Sequence, residues 1–207
     1  PLLFSCFSYL CGMKLDRSFY ERADVVSLAR ELVGKELCSF LDGQLTTGII
    51  TETEAYAGVT DQASHAFGGK RTARTEIMYA RGGTAYVYLC YGMHSLFNVV
   101  TNVKDVPHAV LIRAIHPRKG ILEMKKRTGK DQINATFANG PGKVSKALGI
   151  HFSHSGIDLL GKTIWIDDVG IKVPKAQLVE SPRIGVDYAG EDAKLHYRFL
   201  WNYQEII

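Results

Sequence analysis

Cysteine is scarce in this sequence, and the four cysteines form no CxxC pair and have no histidine at zinc-finger spacing. This absence argues against a structural zinc site and in favour of a reducing compartment. We interpret His151 and His154, the one histidine pair with short spacing, as loop residues. The sequence also lacks a Pro/Ser-rich linker, an internal repeat, a low-complexity tract and a heptad pattern. We therefore predict one domain that holds no metal or other cofactor.

Long apolar runs are also missing, apart from an apolar segment over residues 1–12. Twelve residues are too few to span a bilayer, and no basic residues precede them as in a secretory signal. We interpret residues 1–12 as a non-native or disordered leader, with Met13 as the natural start and residues 13–207 as the folded domain. A short membrane anchor is the alternative interpretation, although we expect no membrane association.

Acidic residues are rare in one part of the chain. Residues 113–146 contain nine Lys or Arg and two Asp or Glu, whereas the net charge of the whole chain is only +4. Such a basic region favours polyanions, because binding releases their counterions. A basic surface that serves only solubility is the alternative.

The apolar and turn residues predict an α+β fold dominated by antiparallel pairing. The predicted helices cover residues 24–33, a short turn over 75–79, residues 121–127, and a segment that opens at 139–143 and ends at Gly149. The predicted strands cover residues 36–41, 44–56, 84–89, 99–100, 109–115, 163–166, 183–186 and 197–201. Pro117 is expected to end the strand over 109–115.

The strand over 44–56 carries two carboxylates and an aromatic ring on one predicted face. Because side chains alternate along a strand, Glu52, Glu54 and Tyr56 should point the same way as Ile50. The simplest explanation is a solvated face. Two carboxylates roughly 6–7 Å apart also occur in inverting sugar hydrolases, but no sugar-binding platform is recognisable here.

A tight turn is predicted after the strand over 84–89. Gly92 can adopt positive φ, which would place Tyr91 and Met93 at an exposed hairpin tip. Tyr86 and Tyr88 fit a buried aromatic stripe equally well. An apolar tip is typical of proteins that insert a wedge between base pairs, and aromatic rings stack on extruded bases.

Two basic residues are expected to have partners. Arg113 interrupts an apolar strand, so a carboxylate or phosphate should lie beside it. Lys143 lies near the start of a predicted helix, where a backbone phosphate could bind. A plain helix start with a surface lysine is the alternative, and the segment does not match a P-loop.

The chain resembles the alkyladenine (3-methyladenine) DNA glycosylase family, mammalian-type fold, over about residues 17–199. The resemblance rests on the motifs TETEAYAG, ASHAFGGKRTART, YVYLCYGMHSLFNVV, NGPGKVSKALGI and PRIGVDYAGE. It implies a curved, mainly antiparallel sheet with a protruding β-hairpin. It also implies a base-excision repair enzyme that flips alkylated or deaminated purines out of duplex DNA. Hydrolysis of the N-glycosidic bond by an activated water would leave an abasic site.

The resemblance also implies a role for individual residues. Glu54 matches the general base, and Arg113 matches a residue that places the water with help from the carbonyl of Ile184. The residues that match the base pocket are Tyr56, His65, Tyr88 and Asn98, the last of which crowds the amino group of guanine. Those that match the intercalating tip are Tyr91 and Met93. The DNA-backbone contacts are expected from Lys70, Thr72, Arg74 and Lys143, although Ala73 replaces a proline common in the family.

No lysine lies next to Glu54 on its strand, which predicts water as the nucleophile, no Schiff base and no strand cleavage. The enzyme implied is thus monofunctional, without lyase activity. Its expected partner is double-stranded DNA with damaged purines, bound by a monomer in the bacterial nucleoid, or in the nucleus if the source is eukaryotic. The alternative function is a non-catalytic nucleic-acid-binding module.

Overall fold

A computed structural model describes residues 12–202, so the predicted leader lies outside the described residues except for Gly12. Within residues 12–202, nine strands form one open sheet whose pairs are all antiparallel. The strands are β1 (Met13–Lys14), β2 (Glu36–Leu41), β3 (Gln44–Tyr56), β4 (Ala85–Cys90), β5 (His94–Thr101), β6 (His108–Lys119), β7 (Ile164–Asp168), β8 (Leu178–Ser181) and β9 (Arg198–Trp201). Their order is β1-β7-β2-β3-β6-β5-β4, with β9 also paired to β3 and β8 to β9.

Four α-helices accompany the sheet in the described part of the chain. They are α1 (Arg17–Tyr20), α2 (Val25–Leu32), α3 (Ile121–Thr128) and α4 (Pro141–Leu148). Helix α2 begins at Val25 because the Asp24 carboxylate accepts the backbone N–H groups of Val26 and Ser27. Gly149 ends α4 in the left-handed conformation that favours glycine. The predicted α+β class is confirmed.

The main core lies between the sheet and the helices. Its fully buried members include side chains from β3, β5, β6, β9, α2 and α4, among them Leu32, Ile50, Phe97, Ile112, Leu148 and Phe199. Burial of this apolar surface is the main stabilising term for the fold. The sheet is therefore a rigid support for the side chains that project from its other face.

Two strand predictions are wrong in detail. Strand β6 continues through Pro117 to Lys119, since Pro117 pairs with Gly48 at a register shift where the missing N–H is tolerated. Residues 183–186 form no strand, because the Ile184 N–H bonds the Glu54 side chain instead of a neighbouring strand. Gly185 there has a φ of +75°.

The alternation predicted along β3 is also interrupted. Register shifts lie between Ile50 and Glu52 and between Glu52 and Thr53, opposite the β6 segment that contains Arg113. Ile50 consequently packs into the main core, whereas Glu54 and Tyr56 still share a face and touch one another. Bulges of this kind re-aim side chains next to functional sites.

Candidate active site

Strands β4 and β5 form the predicted hairpin with an apolar tip. Tyr91 and Gly92 have φ values of +51° and +70°, and the Met93 N–H donates to the Cys90 carbonyl at 3.1 Å. Tyr91 is 90% exposed and Met93 73% exposed. The left-handed conformation costs a non-glycine residue such as Tyr91 about 1 kcal/mol. The exposed Tyr91 side chain buries almost no surface that would offset this cost. The conformation of the tip therefore points to a role in binding rather than in folding.

A cavity of about 230 Å³ opens at the base of this hairpin. All four residues predicted for the base pocket line it, namely Tyr56, His65, Tyr88 and Asn98. Further lining residues include Tyr86, Tyr91, Arg113, Pro141, Ile184 and Tyr188. Segments that are distant in the sequence, from β3 to the loop over residues 183–188, therefore meet around one space that is bounded by aromatic rings.

His65 is a neutral member of this aromatic wall. Its ring lies 4.7 Å from that of Tyr88 at an interplanar angle of 77°, and its Nδ1 lies 2.9 Å from the Tyr86 hydroxyl. Burial lowers the pKa of His65 to about 4, and the charges of Arg74 and Lys70 act in the same direction. Arg74 lies 3.3 Å from Nε2. Because a guanidinium only donates, Nε2 accepts and Nδ1 carries the proton.

Asn98 contributes a polar side chain to the cavity lining. Its side-chain N–H₂ donates to the carbonyls of Tyr86, at 3.1 Å, and Leu96, at 3.2 Å. The amide is buried and held in place by these two bonds. Its Oδ1 is therefore the polar atom that remains for a ligand in the cavity.

Glu54 is fully buried immediately behind the cavity wall. Its Oε1 accepts the Ile184 N–H at 2.8 Å and lies 3.3 Å from Arg113 Nη1, while its Oε2 accepts the Tyr56 hydroxyl at 2.8 Å. Burial raises the pKa of Glu54, and Arg113, the Ile184 N–H and the Tyr56 hydroxyl oppose this rise. The contact of the Ile184 amide with Glu54 was not predicted, and the expected role of the Ile184 carbonyl beside the water stays a prediction.

Glu52 completes a buried network of charges. Its Oε1 lies 3.1 Å from Arg113 Nε and 2.9 Å from Arg198 Nη1. The prediction that a carboxylate or phosphate lies beside Arg113 is confirmed, and its partners are the two carboxylates of Glu52 and Glu54. Both guanidinium groups bind Glu52 within the protein, and Glu52 is not among the residues that line the cavity. Glu52 therefore does not serve as the second acid that an inverting sugar hydrolase would need.

The predicted DNA-backbone residues lie in two segments of the chain, the loop that contains Lys70, Thr72 and Arg74 and the start of α4 with Lys143. Lys70 and Thr72 belong to an exposed loop, in which the Thr72 N–H donates to Thr75 Oγ1. Arg74 does not simply extend into solvent, since its guanidinium lies 4.8 Å from the centre of the Tyr88 ring. Lys143 lies in the first turn of α4, beside a groove that also contains Tyr91.

Sequence reasoning missed Arg183, Tyr188 and the polar role of Tyr86. Tyr86 was interpreted only as a core or stacking ring, although its hydroxyl bonds His65. Arg183 was assigned to a strand, but its side chain is buried against Asp61. The signal available in the sequence was an arginine between apolar residues, the same signal that identified Arg113.

One group in residues 12–202 has donor atoms close enough to hold a metal: Glu36, Cys38 and Asp167. It lies on the β2–β7 side of the sheet, away from the cavity. Its carboxylates already accept hydrogen bonds from Thr47 Oγ1 and Trp165 Nε1. Burial raises the pKa of the Cys38 thiol, which disfavours the thiolate that a metal requires.

Comparison with known families matches residues 18–205 to the family described as methylpurine-DNA glycosylase. A candidate 3-methyladenine DNA glycosylase of Chlamydia felis is 46% identical over 189 residues, which are 91% of this chain and 96% of that protein. Proteins with the same description from Clostridium perfringens and Bacillus cytotoxicus are 44% and 41% identical, over 92% and 94% of this chain and 95% and 99% of their own. None of the helices described within residues 12–202 is long and apolar enough to cross a membrane.

Proposed function

The chain belongs to the methylpurine-DNA glycosylase family and is a DNA repair glycosylase, and we propose that it acts on damaged purines in duplex DNA with Glu54 as general base. The observation that carries this assignment is the position of the Glu54 carboxylate. It is buried directly behind a cavity lined by aromatic rings, and the three groups that hold it are themselves part of the cavity wall.

In the proposed mechanism, the damaged nucleotide turns out of the duplex and the Tyr91 ring fills the gap. Flipping costs a few kcal/mol, less at a damaged base, and stacking of the inserted ring offsets part of this cost. The exposed tip with Tyr91 and Met93 lies beside the cavity, as this exchange requires. Lys70, Thr72, Arg74 and Lys143 are positioned to contact the flanking backbone.

The flipped base stacks between the Tyr56 ring and the wall formed by His65 and Tyr88. An alkylated purine carries positive charge, which strengthens its stacking on aromatic rings by roughly 0.5–2 kcal/mol. Neutral His65 suits such a base, because a protonated ring would repel it. The Asn98 side chain crowds the position of the guanine amino group and so disfavours that normal base.

The Glu54 carboxylate then accepts a proton from a water molecule that attacks C1′, while the N-glycosidic bond breaks and the base leaves with its electron pair. The ionised carboxylate also stabilises the positive charge that develops on the sugar. Because Glu54 is fully buried and both of its carboxylate oxygens accept hydrogen bonds, water reaches it when one of these contacts opens. The Tyr56 hydroxyl is the uncharged side-chain partner and is the contact we assign to this exchange. Arg113 keeps the carboxylate ionised and helps to place the water.

Among the described residues, no lysine bonds Glu54, which supports water as nucleophile and a monofunctional enzyme without lyase activity. The hairpin, the cavity and the carboxylate all come from one chain, which supports action as a monomer. The relatives reported above are bacterial proteins, which supports action on nucleoid DNA.

The deciding experiment is base release from duplexes that contain 3-methyladenine, 7-methylguanine, hypoxanthine or ethenoadenine. Glu54→Gln should lower the single-turnover rate by about 10²- to 10⁴-fold while damaged DNA remains bound. Glu36→Gln is the matched control, because Glu36 is also buried, accepts a hydroxyl at 2.6 Å and pairs with an arginine, but lies away from the cavity.

A wild-type protein that binds damaged DNA but releases no base would support the non-catalytic binding module instead. Borohydride should trap no covalent protein–DNA adduct. A trapped adduct would contradict water as the nucleophile.

A further inference from the structure

Arg183 is a buried arginine that the mechanism above does not use. The Arg183 side chain is inaccessible to solvent, and the side chain of its partner Asp61 is only 1% exposed. Arg183 Nη2 donates to Asp61 Oδ1 at 2.8 Å and to the Asp192 carbonyl at 3.1 Å, while Nη1 donates to the Ala55 carbonyl at 2.9 Å. A buried charge with this many partners fixes the segments that it joins.

The Arg183 guanidinium also lies against the ring that forms one wall of the cavity. Its central carbon is 4.9 Å from the centre of the Tyr56 ring and 5.2 Å from that of Tyr197. A planar guanidinium stacks on a ring and forms several directed hydrogen bonds at once, which a lysine ammonium does not do. Arg183 therefore fixes the plane of Tyr56 as well as its backbone.

Asp61 extends the same network to two other wall segments. Its Oδ2 accepts the Ala57 N–H at 2.9 Å, immediately after Tyr56. Its Oδ1 accepts the Ala63 N–H at 3.0 Å, two residues before His65. The ion pair thus connects the backbone on both sides of the aromatic slot.

The residue after Arg183 supplies the amide that holds the general base. Ile184 N–H donates to Glu54 Oε1, yet residues 183–186 belong to no strand that would fix this amide. The buried side chain of Arg183 is the anchor immediately beside it. One residue is therefore joined to the stacking ring through its guanidinium and to the carboxylate through its chain neighbour.

We propose that Arg183, held by Asp61, is a positioning residue that fixes the Tyr56 ring and the Ile184 amide relative to one another. Arg183 thereby couples the stacking of the base to the activation of water at Glu54. This inference rests on the proposed function. A plain structural ion pair would stabilise the fold without affecting the chemistry per folded molecule. The two explanations differ in what happens to the rate constant and to its pH dependence.

The test compares Arg183→Lys with Arg30→Lys in the full chain. Arg30 makes similar contacts far from the cavity, since it pairs with Glu180 at 3.0 Å and lies 4.9 Å from the Phe199 ring centre. The measurements are single-turnover base release on a methylated-purine duplex, the active fraction from the burst amplitude, thermal melting, and the pH profile of the rate.

Arg183→Lys should lower the rate constant of the active fraction by about tenfold to a hundredfold. It should also move the acid limb of the profile to higher pH, because a misaligned Ile184 N–H no longer opposes the raised pKa of Glu54. Arg30→Lys should stay within about twofold of the wild-type rate. Asp61→Asn, which keeps the shape and one acceptor oxygen, should give a smaller change in the same direction.

A folded Arg183→Lys protein with the wild-type rate and acid limb would overturn the proposal, as would a change confined to the melting temperature. If Arg183→Lys is unfolded at the assay temperature, the Asp61→Asn rate decides by the same criteria. Failure of the proposed function is seen separately, because wild-type protein would then release no base at all.

Discussion

Replacement of Tyr91 by alanine should separate lesion recognition from folding. The Tyr91 side chain is 90% exposed, so its removal deletes almost no packing, and alanine keeps the same left-handed strain. The melting temperature should therefore remain close to that of wild type. In the proposed complex with DNA, the Tyr91 ring would replace the extruded base in the stack. Stacking of an aromatic ring on a base contributes roughly 1–3 kcal/mol, which corresponds to a loss of about 5- to 150-fold in affinity.

The assay is equilibrium binding to a duplex with one damaged purine and to the corresponding single strand, at a fixed salt concentration. Only the duplex has a gap to fill, so the loss should be confined to it. Phe40→Ala is the matched control, because Phe40 is 49% exposed beside the turn of another hairpin, β2–β3. Equal losses of affinity for duplex and single strand, or an equal loss for Phe40→Ala, would refute the proposed insertion of Tyr91 into the duplex.

Three further predictions follow from the same site. Glu54 must be ionised to act, and the Tyr56 hydroxyl favours its ionised form, so Tyr56→Phe should raise the pKa of Glu54 and move the acid limb of the rate to higher pH. The pKa of His65 is about 4, so ¹⁵N NMR should show a neutral ring above about pH 5, with the proton on Nδ1 facing Tyr86. Lys143→Gln should reduce the slope of log affinity against log salt by about 0.9 if Lys143 contacts one phosphate.

Each of these three predictions has an outcome that contradicts it. An unchanged acid limb in Tyr56→Phe would mean that a group other than Glu54 sets the limb. A His65 ring that titrates near its ordinary pKa would remove the argument for a neutral wall. A salt slope equal to that of wild type would take Lys143 out of the DNA interface. Lys175, which is exposed and lies outside the basic region of residues 113–146, provides the matched Lys175→Gln control.

Local patterns in the sequence predicted the parts of the site that depend on neighbours along the chain. The tip at Tyr91 followed from a glycine between two alternating strands, and the strand bounds of β2 and β3 followed from their turn residues. The shared face of Glu54 and Tyr56 followed from the period of two. Its extension to Ile50 was wrong, because a bulge leaves no mark in the hydrophobic pattern.

Contacts between distant parts of the chain were not predictable in this way. Asp61 and Arg183 are 122 residues apart, and the Ile184 amide reaches a carboxylate 130 residues away. Arg113 shows which part of such a contact the sequence does predict. A charged residue in an apolar strand predicted a carboxylate or phosphate partner, but only the fold determined that the partners are the carboxylates of Glu52 and Glu54.

The geometry around Glu54 links the occupant of the cavity to the charge of the carboxylate. Tyr56, Arg113 and Ile184 line the cavity and also hold Glu54, so a base that fills the cavity removes water from all three. Loss of that water disfavours the ionised carboxylate, whereas a positive charge on the base favours it. Under the proposed mechanism, a cationic alkylated purine would therefore supply part of the field that keeps Glu54 ionised, in addition to being the better leaving group. A neutral lesion would supply neither, so only the contacts within the protein, from Arg113, the Ile184 N–H and the Tyr56 hydroxyl, would then favour the ionised carboxylate.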